Sequence, residues 1–256
     1  MSPVLGVCET ATMSAPSLRA RVRAEMTDEI KAVARRRLAM NGAADLSLRG
    51  VARDLDIVAS ALYRYFPSRD ALLTALLVDA YQELAEAAGQ AEAAVPRDDL
   101  RGRWVAVGRA VRAWALANPA EYGLLYGNPL PGYAAPQDTV EPASQVILLL
   151  LGILLDGAAR GALTPGRRTE MAESVRADLR RLIDQRAGDV PEELLDSALA
   201  GWSHLFGQVS FEVFGRLEGM IAARADYLDH QMALIADLAG LPAAEAQADL
   251  GPSGTT

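Results

Sequence analysis

The stretch SLRGVARDLDIVASALYRYFPSRDALL, residues 47–73, decides how the rest of this chain is read. Ser47 precedes a short apolar face of Leu48, Val51, Ala52 and Leu55. A serine there is a helix cap, because its oxygen accepts from the unpaired amides of the first turn. Asp56-Ile57-Val58 interrupts the pattern as a turn, Ala59 to Phe66 forms a second short helix, and Pro67 cannot continue it. Ser68 then caps a longer helix through Leu72, Leu73, Leu76, Leu77, Ala80, Tyr81 and Leu84. Two short helices across a tight turn make a helix-turn-helix, whose first helix braces on phosphate while the second enters the major groove.

The side chains suit that use. Ser47 and the first amides of its helix, Leu48 included, can hold a phosphate at the positive helix end, and Arg49 reinforces the contact. Ala59, Ser60 and Ala61 open the second helix with small side chains that let it sink into the groove. Tyr63, Arg64 and Tyr65 bring phenolic and guanidinium groups to the rim, and Ser68 and Arg69 lie where phosphate contact is geometrically reasonable. Leu62 and Phe66 are expected to point into the core.

Toward the N-terminus, Val22, Met26, Ile30, Val33, Ala34 and Leu38 recur at helical spacing until Asn41-Gly42 supplies a left-handed stop. Toward the C-terminus the helical period continues over Leu100 to Ala117, a short piece opened by Asn118-Pro119, then Glu141 to Arg160, Arg168 to Arg186, Pro191 to Leu217 and Ala222 to Leu238. The Pro/Gly-rich loop Gly127 to Pro136 is expected to pack through Leu130 and Tyr133. No strand pattern competes. The chain is therefore expected to be all-α: a leader over 1–17, a helix-turn-helix domain over 18–67, a helical regulatory and dimerisation domain over 68–242, and a disordered tail over 243–256.

Charge is distributed unevenly. Residues 14–75 carry 11 Lys/Arg against 7 Asp/Glu, whereas the whole chain is net -8. A positive end on an acidic body suits a protein that offers one end to phosphate. Arg19, Arg21 and Arg23 could extend that end into the minor groove. The single Cys8 excludes an internal disulfide and argues for a reducing compartment. Residues 1–16 lack the pattern of a signal peptide. The longest apolar run, Val146 to Leu155, is near half of the roughly 20 residues a membrane span needs. A cytoplasmic protein with no membrane partner is expected.

With two histidines, His204 and His230, and no nucleophile elbow, phosphate loop or zinc-ligand spacing, no enzyme, metal site or cofactor is indicated.

Tyr63-Arg64-Tyr65-Phe66-Pro67-Ser68-Arg69-Asp70-Ala71-Leu72 resembles the signature of the tetracycline-repressor (TetR) family, with Arg69 in place of the usual lysine. Two positions depart from it: Asp56 stands where the family usually has glycine in the turn, and Val58 where a Ser or Thr often caps the recognition helix. The segment from Trp202 to Gly207 resembles the WHG subtype of TetR C-terminal domains, with Phe206 where that motif has histidine. The resemblance implies a transcriptional regulator that dimerises through its last two long helices, residues 191–238, and houses a small-molecule inducer. A concave apolar site with a few polar tips could be built from Trp104, Trp114, Tyr122, Tyr126, Tyr133, Trp202 and Phe206, and would favour a hydrophobic or planar ligand. Two other functions share these features: a nonspecific or architectural DNA-binding protein, and a regulator controlled by a protein partner.

Overall fold

Helix α1, Leu18–Asn41, begins where the Ser17 hydroxyl accepts from the Ala20 amide and stops at Gly42, whose left-handed φ of 76° turns its amide onto the Leu38 carbonyl. It buries Ile30, Val33, Ala34 and Leu38 on one stripe, while Val22 stays exposed. A single 3₁₀ turn, Ala43–Asp45, leads into α2, Leu48–Asp54, and then α3, Ala59–Leu62. The computed structural model describes residues 17–164, 170–188 and 190–242. The expected leader before Ser17, the tail over 243–256 and the Arg168 helix start lie outside the described residues.

Helix α4, Arg69–Ala93, is the spine. Its first turns bury Leu72, Leu73 and Leu76 with α1 to α3, and its later turns bury Ala80, Leu84 and Ala88 in a second, larger core. The boundary expected at residues 67 and 68 is thus bridged by one rigid rod, about 37 Å long at 1.5 Å per residue.

The second core is built by α5, Leu100–Ala117, by α7, Val140–Ala159, and by two C-terminal helices, α9, Glu192–Val213, and α10, Arg224–Leu238. Between them lie α6, Pro119–Tyr126, opened by Pro119, and α8, Glu173–Leu182, which runs into a π-helical turn, Ile183–Ala187. No strand occurs among the described residues. The stretch Gln137–Ala159, mean hydropathy 1.7, is longer than its apolar run suggested and passes the length and composition test for a membrane span. Val146, Leu150, Leu151, Ile153 and Leu154 on it are nonetheless buried against α4, α5 and α9.

Several helix limits differ from expectation. The recognition helix keeps α-helical form only to Leu62, because the Arg64 and Tyr65 amides bond the carbonyls of Ala61 and Leu62 in tighter turns before Pro67. Pro191 sits at the N-cap rather than in the first turn, and α9 ends at Val213, where Gly215 adopts φ 72°. α8 starts at Glu173, later than the apolar period suggested.

At the base of α4, Arg103 is 1% exposed, and its guanidinium meets Glu92 and Asp156, both of which also take Arg97 at 2.6 Å. This network binds the ends of α4 and α7 to the start of α5.

Candidate functional site

The Ser47 hydroxyl accepts from the Gly50 amide at 3.2 Å, which sets the start of α2. Leu48, Gly50, Val51 and Ala52 are buried, and the Arg37 guanidinium from α1 lies across Gly50, donating to its carbonyl and to Asp54 at 2.6 Å. A Cβ on Gly50 would meet that guanidinium at 2.7 Å, so the glycine permits the close approach of α1 to α2. At the turn, Asp56 adopts φ 54°, the left-handed geometry the family usually gives to glycine, and the Ile57 amide closes the turn onto Ala52 at 3.0 Å. Asp is among the few residues that tolerate it. Val58 caps α3 with no side-chain hydrogen bond.

This packing sorts the expected DNA contacts. Ser47, Arg49, Ser60, Tyr63, Arg64 and Ser68 are exposed, while Ala59, Ala61 and Tyr65 are half-buried. Leu62 and Phe66 are buried. Leu48, at 4% exposure, is core, as its place on the apolar face of α2 suggested, and only its backbone amide is left for a phosphate. Arg69 is half-buried, and its guanidinium donates to the carbonyls of Leu46 and Ala43 at 2.8 Å, with Ala44 at 3.4 Å. It pins the α1–α2 connection to the start of α4. Arg23 likewise donates to the Arg64 carbonyl at 3.0 Å and lies 5.2 Å over the Tyr65 ring, tying α1 to the end of the recognition helix.

The head is joined to the body by more than α4. Lys31 and Arg35 on α1 pair with Asp79 and Glu83 on α4, the shortest contact being Arg35 to Glu83 at 2.7 Å. Leu124 of α6 and Leu130 and Tyr133 of the following loop pack onto the head's core. The Tyr133 hydroxyl hydrogen-bonds Thr74 at 3.0 Å. Sequence reading gave Tyr133 both a packing role in its loop and a place in a ligand pocket; it packs, with Leu130, at the junction of head and body and does not line the cavity between α7 and α9. The ion pairs were not foreseen, because partners 44 or more residues apart leave no local signal.

Of the other six pocket candidates, Tyr122, Tyr126, Trp202 and Phe206 form a continuous ring cluster. Trp202 meets Phe206 at 5.6 Å, Phe206 meets Tyr126 at 4.4 Å, and Tyr126 meets both Tyr122 at 5.1 Å and Tyr81 of α4, edge-on, at 6.1 Å. Tyr122 bonds Ser210 and the Phe206 carbonyl, and burial pushes its phenol up to about 12. Burial raises Tyr126 further, with Tyr81 and Tyr122 adding to the shift. Both stay neutral. Trp104 is fully buried against α9, where a Cβ on Gly201 would lie 2.4 Å from its ring, and Trp114 is core as well.

A cavity of about 540 Å³ opens between α7 and α9, and Trp202 is the one expected pocket residue that lines it. The α7 side contributes Thr139, Glu141, Ser144, Ile147, Leu148 and Leu151, with Leu182 of α8 and Leu195 and Leu199 of α9 opposite. The lining is mostly aliphatic. Aromatic content alone could not have located it, since aliphatic residues on a cavity wall and in a core have the same helical spacing. Among the described residues no group of His, Cys, Asp or Glu side chains is arranged to hold a metal ion.

Residues 30–76 match the tetR family of bacterial regulatory proteins, and residues 104–235, just over half the chain, match the tetracyclin repressor-like C-terminal domain. HTH-type transcriptional regulators of Mycobacterium tuberculosis and Mycobacterium bovis are 38% identical over 198 residues, spanning 76% of this chain and 83% of theirs. The crystal structure of the regulatory protein SCO4313 superposes with a TM-score of 0.69 at 33% identity, covering 86% of this chain and 98% of that one. RolR, solved with resorcinol, shares the fold at 16% identity and a TM-score of 0.52, covering 93% of this chain and 99% of its own. Head and body are thus matched separately and in the order the two cores occupy along the chain, and the chain belongs to the TetR family of helix-turn-helix transcriptional regulators, which bind DNA and are not enzymes.

Proposed function

We propose that this protein is a cytoplasmic repressor that binds a palindromic operator as a homodimer and is released from it by a small hydrophobic molecule. The observation that carries this reading is the exposed face made by Ser60, Tyr63 and Arg64 beside the Ser47 and Arg49 end of α2, on a head otherwise packed into the body. In this reading the α2 N-terminus, including the Leu48 amide, takes phosphate, as do Arg49 and Ser68. Ala59, Ser60 and Ala61 approach base edges, and Tyr63, Arg64 and Tyr65 border the groove.

Pairing uses the outer faces of α9 and α10. Ala200, Ser203, Gly207 and Phe211 form one exposed stripe on α9, and His230, Leu234 and Leu238 another on α10. A two-fold dimer would present two recognition helices to major grooves roughly 34 to 36 Å apart, or a multiple of that. An effector in the α7–α9 cavity acts on α4 through Trp202, Phe206, Tyr126 and Tyr81. It changes operator affinity only by as much as it prefers one head spacing to the other.

The test is selection from a random duplex pool at physiological salt, with the wild type and a Tyr63→Ala, Arg64→Ala double variant. A palindromic consensus lost by the variant supports the reading. Enrichment of no motif would overturn it in favour of nonspecific binding, which depends on salt but not on sequence.

A further inference from the structure

The cavity between α7 and α9 has a polar end and an apolar end, and the hydrogens at the polar end are already committed. The Thr139 hydroxyl donates to the Pro136 carbonyl at 2.7 Å, and the Ser144 hydroxyl donates to the Val140 carbonyl at 2.7 Å. Both residues line the cavity, and with their hydrogens committed these oxygens can only accept. Glu141 adds a carboxylate and, among the described residues, is the only charged side chain on the wall, with no Lys, Arg or His beside it. Glu141 has no ion-pair partner among the described residues.

The start of α7 does little to reverse this bias toward cations. The Val140 amide bonds the Gln137 carbonyl, and Pro142 has no amide to offer, so two of the first donors of the helix are missing. A helix dipole amounts to about half a positive charge, against the full negative charge of Glu141. The Trp202 indole N–H is buried with no partner in the protein, so it adds no accessible donor to the wall.

We propose that this cavity selects an organic cation: an ammonium head held by Glu141, Ser144 and Thr139, on an apolar body lying along Leu151, Leu195 and Leu199. Carboxylates and phosphate esters are disfavoured, because they would lie beside Glu141 with no counter-charge. The cavity volume is that of a site for a drug-sized molecule. The assignment rests on the reading of the protein as a ligand-released regulator and names the chemical class of that ligand.

Octylamine, octanol and octanoate, each below its micellar range, provide the test, with binding to the full chain followed by titration calorimetry and operator occupancy measured in parallel. Octylamine is expected to bind about tenfold more tightly than octanol, the difference expected of one charge-assisted contact, and octanoate more weakly than either. Glu141→Gln should erase the advantage of the amine and leave octanol unchanged. Leu148→Trp, at a half-exposed position on the rim, should weaken all three. Octanoate binding as tightly as the amine, or no binding by any of the three, would overturn the assignment while leaving operator recognition intact. The expected order with unchanged operator occupancy would instead support the ligand class and refute release.

Discussion

At the scale of single residues, Arg69 is the position where charge and geometry separate. A phosphate contact needs only a positive charge, but three backbone carbonyls at 2.8 to 3.4 Å need the flat, multiply donating guanidinium. Arg69→Lys keeps the charge and loses the fork. It should lower stability by about 1–2 kcal/mol, measured by urea unfolding, while the salt dependence of DNA binding keeps its slope. Arg69→Gln, which removes the charge as well, should leave the slope equally unchanged, and a reduced slope there would return Arg69 to the phosphate-contacting set. The two tyrosines of the motif divide in a similar way. Tyr63 is 47% exposed and available to DNA, whereas Tyr65 is half-buried beneath Arg23.

At the scale of elements, the contact of α5 with α9 depends on a missing side chain. Gly201 lets Trp104 lie flat against α9, and a methyl group there would sit 2.4 Å from the ring. Trp104 is fully buried and cannot swing away. Gly201→Ala should therefore cost about 1–3 kcal/mol despite its better helix propensity, read as a lower melting temperature. Gly207, two turns further on, faces open space. The same substitution there should be neutral or stabilising in the isolated chain, so the pair forms an internal control.

At the scale of the whole molecule, the proposed dimer would bring two basic heads together through their acidic bodies. Gly207 lies in the middle of the exposed α9 stripe, and a Cβ on it meets nothing within 4 Å of its own chain. Gly207→Arg should thus leave the fold intact by circular dichroism, convert the dimer to monomer by sedimentation, and abolish binding to a full operator. A dimer that survives this change would exclude the α9 face. Acid sensitivity is a second global property. Desolvation holds His204 below the ordinary imidazole value of 6.5, opposed by a hydrogen bond to Gln231. The unfolded chain therefore takes up the proton first as pH falls, so the stability due to neutral His204 is complete above that value and is lost below it. His204→Gln should flatten this part of the pH dependence, seen as a smaller drop in melting temperature between about pH 7.5 and 5.5 than in the wild type.

The sequence by itself determined what is local. Helix starts at Ser47 and Ser68, the stop at Gly42, the opening of α6 by Pro119 and the span of α5 follow from caps, breakers and the helical period, which act within one or two turns. The motif from Tyr63 to Leu72 identified the family for the same reason, because its residues are contiguous. Only the tertiary structure decided what depends on distant partners. It turned Arg69 and Arg23 into braces, placed Tyr133 at the junction of head and body rather than in the cavity, and buried Trp104 and Trp114 as core. It also opened the cavity between α7 and α9 beside Leu151 and Leu199, residues whose spacing is that of any buried face. Periodicity states that a helix has an apolar side, whereas contact, cavity or partner surface depends on which helices meet and how closely they pack.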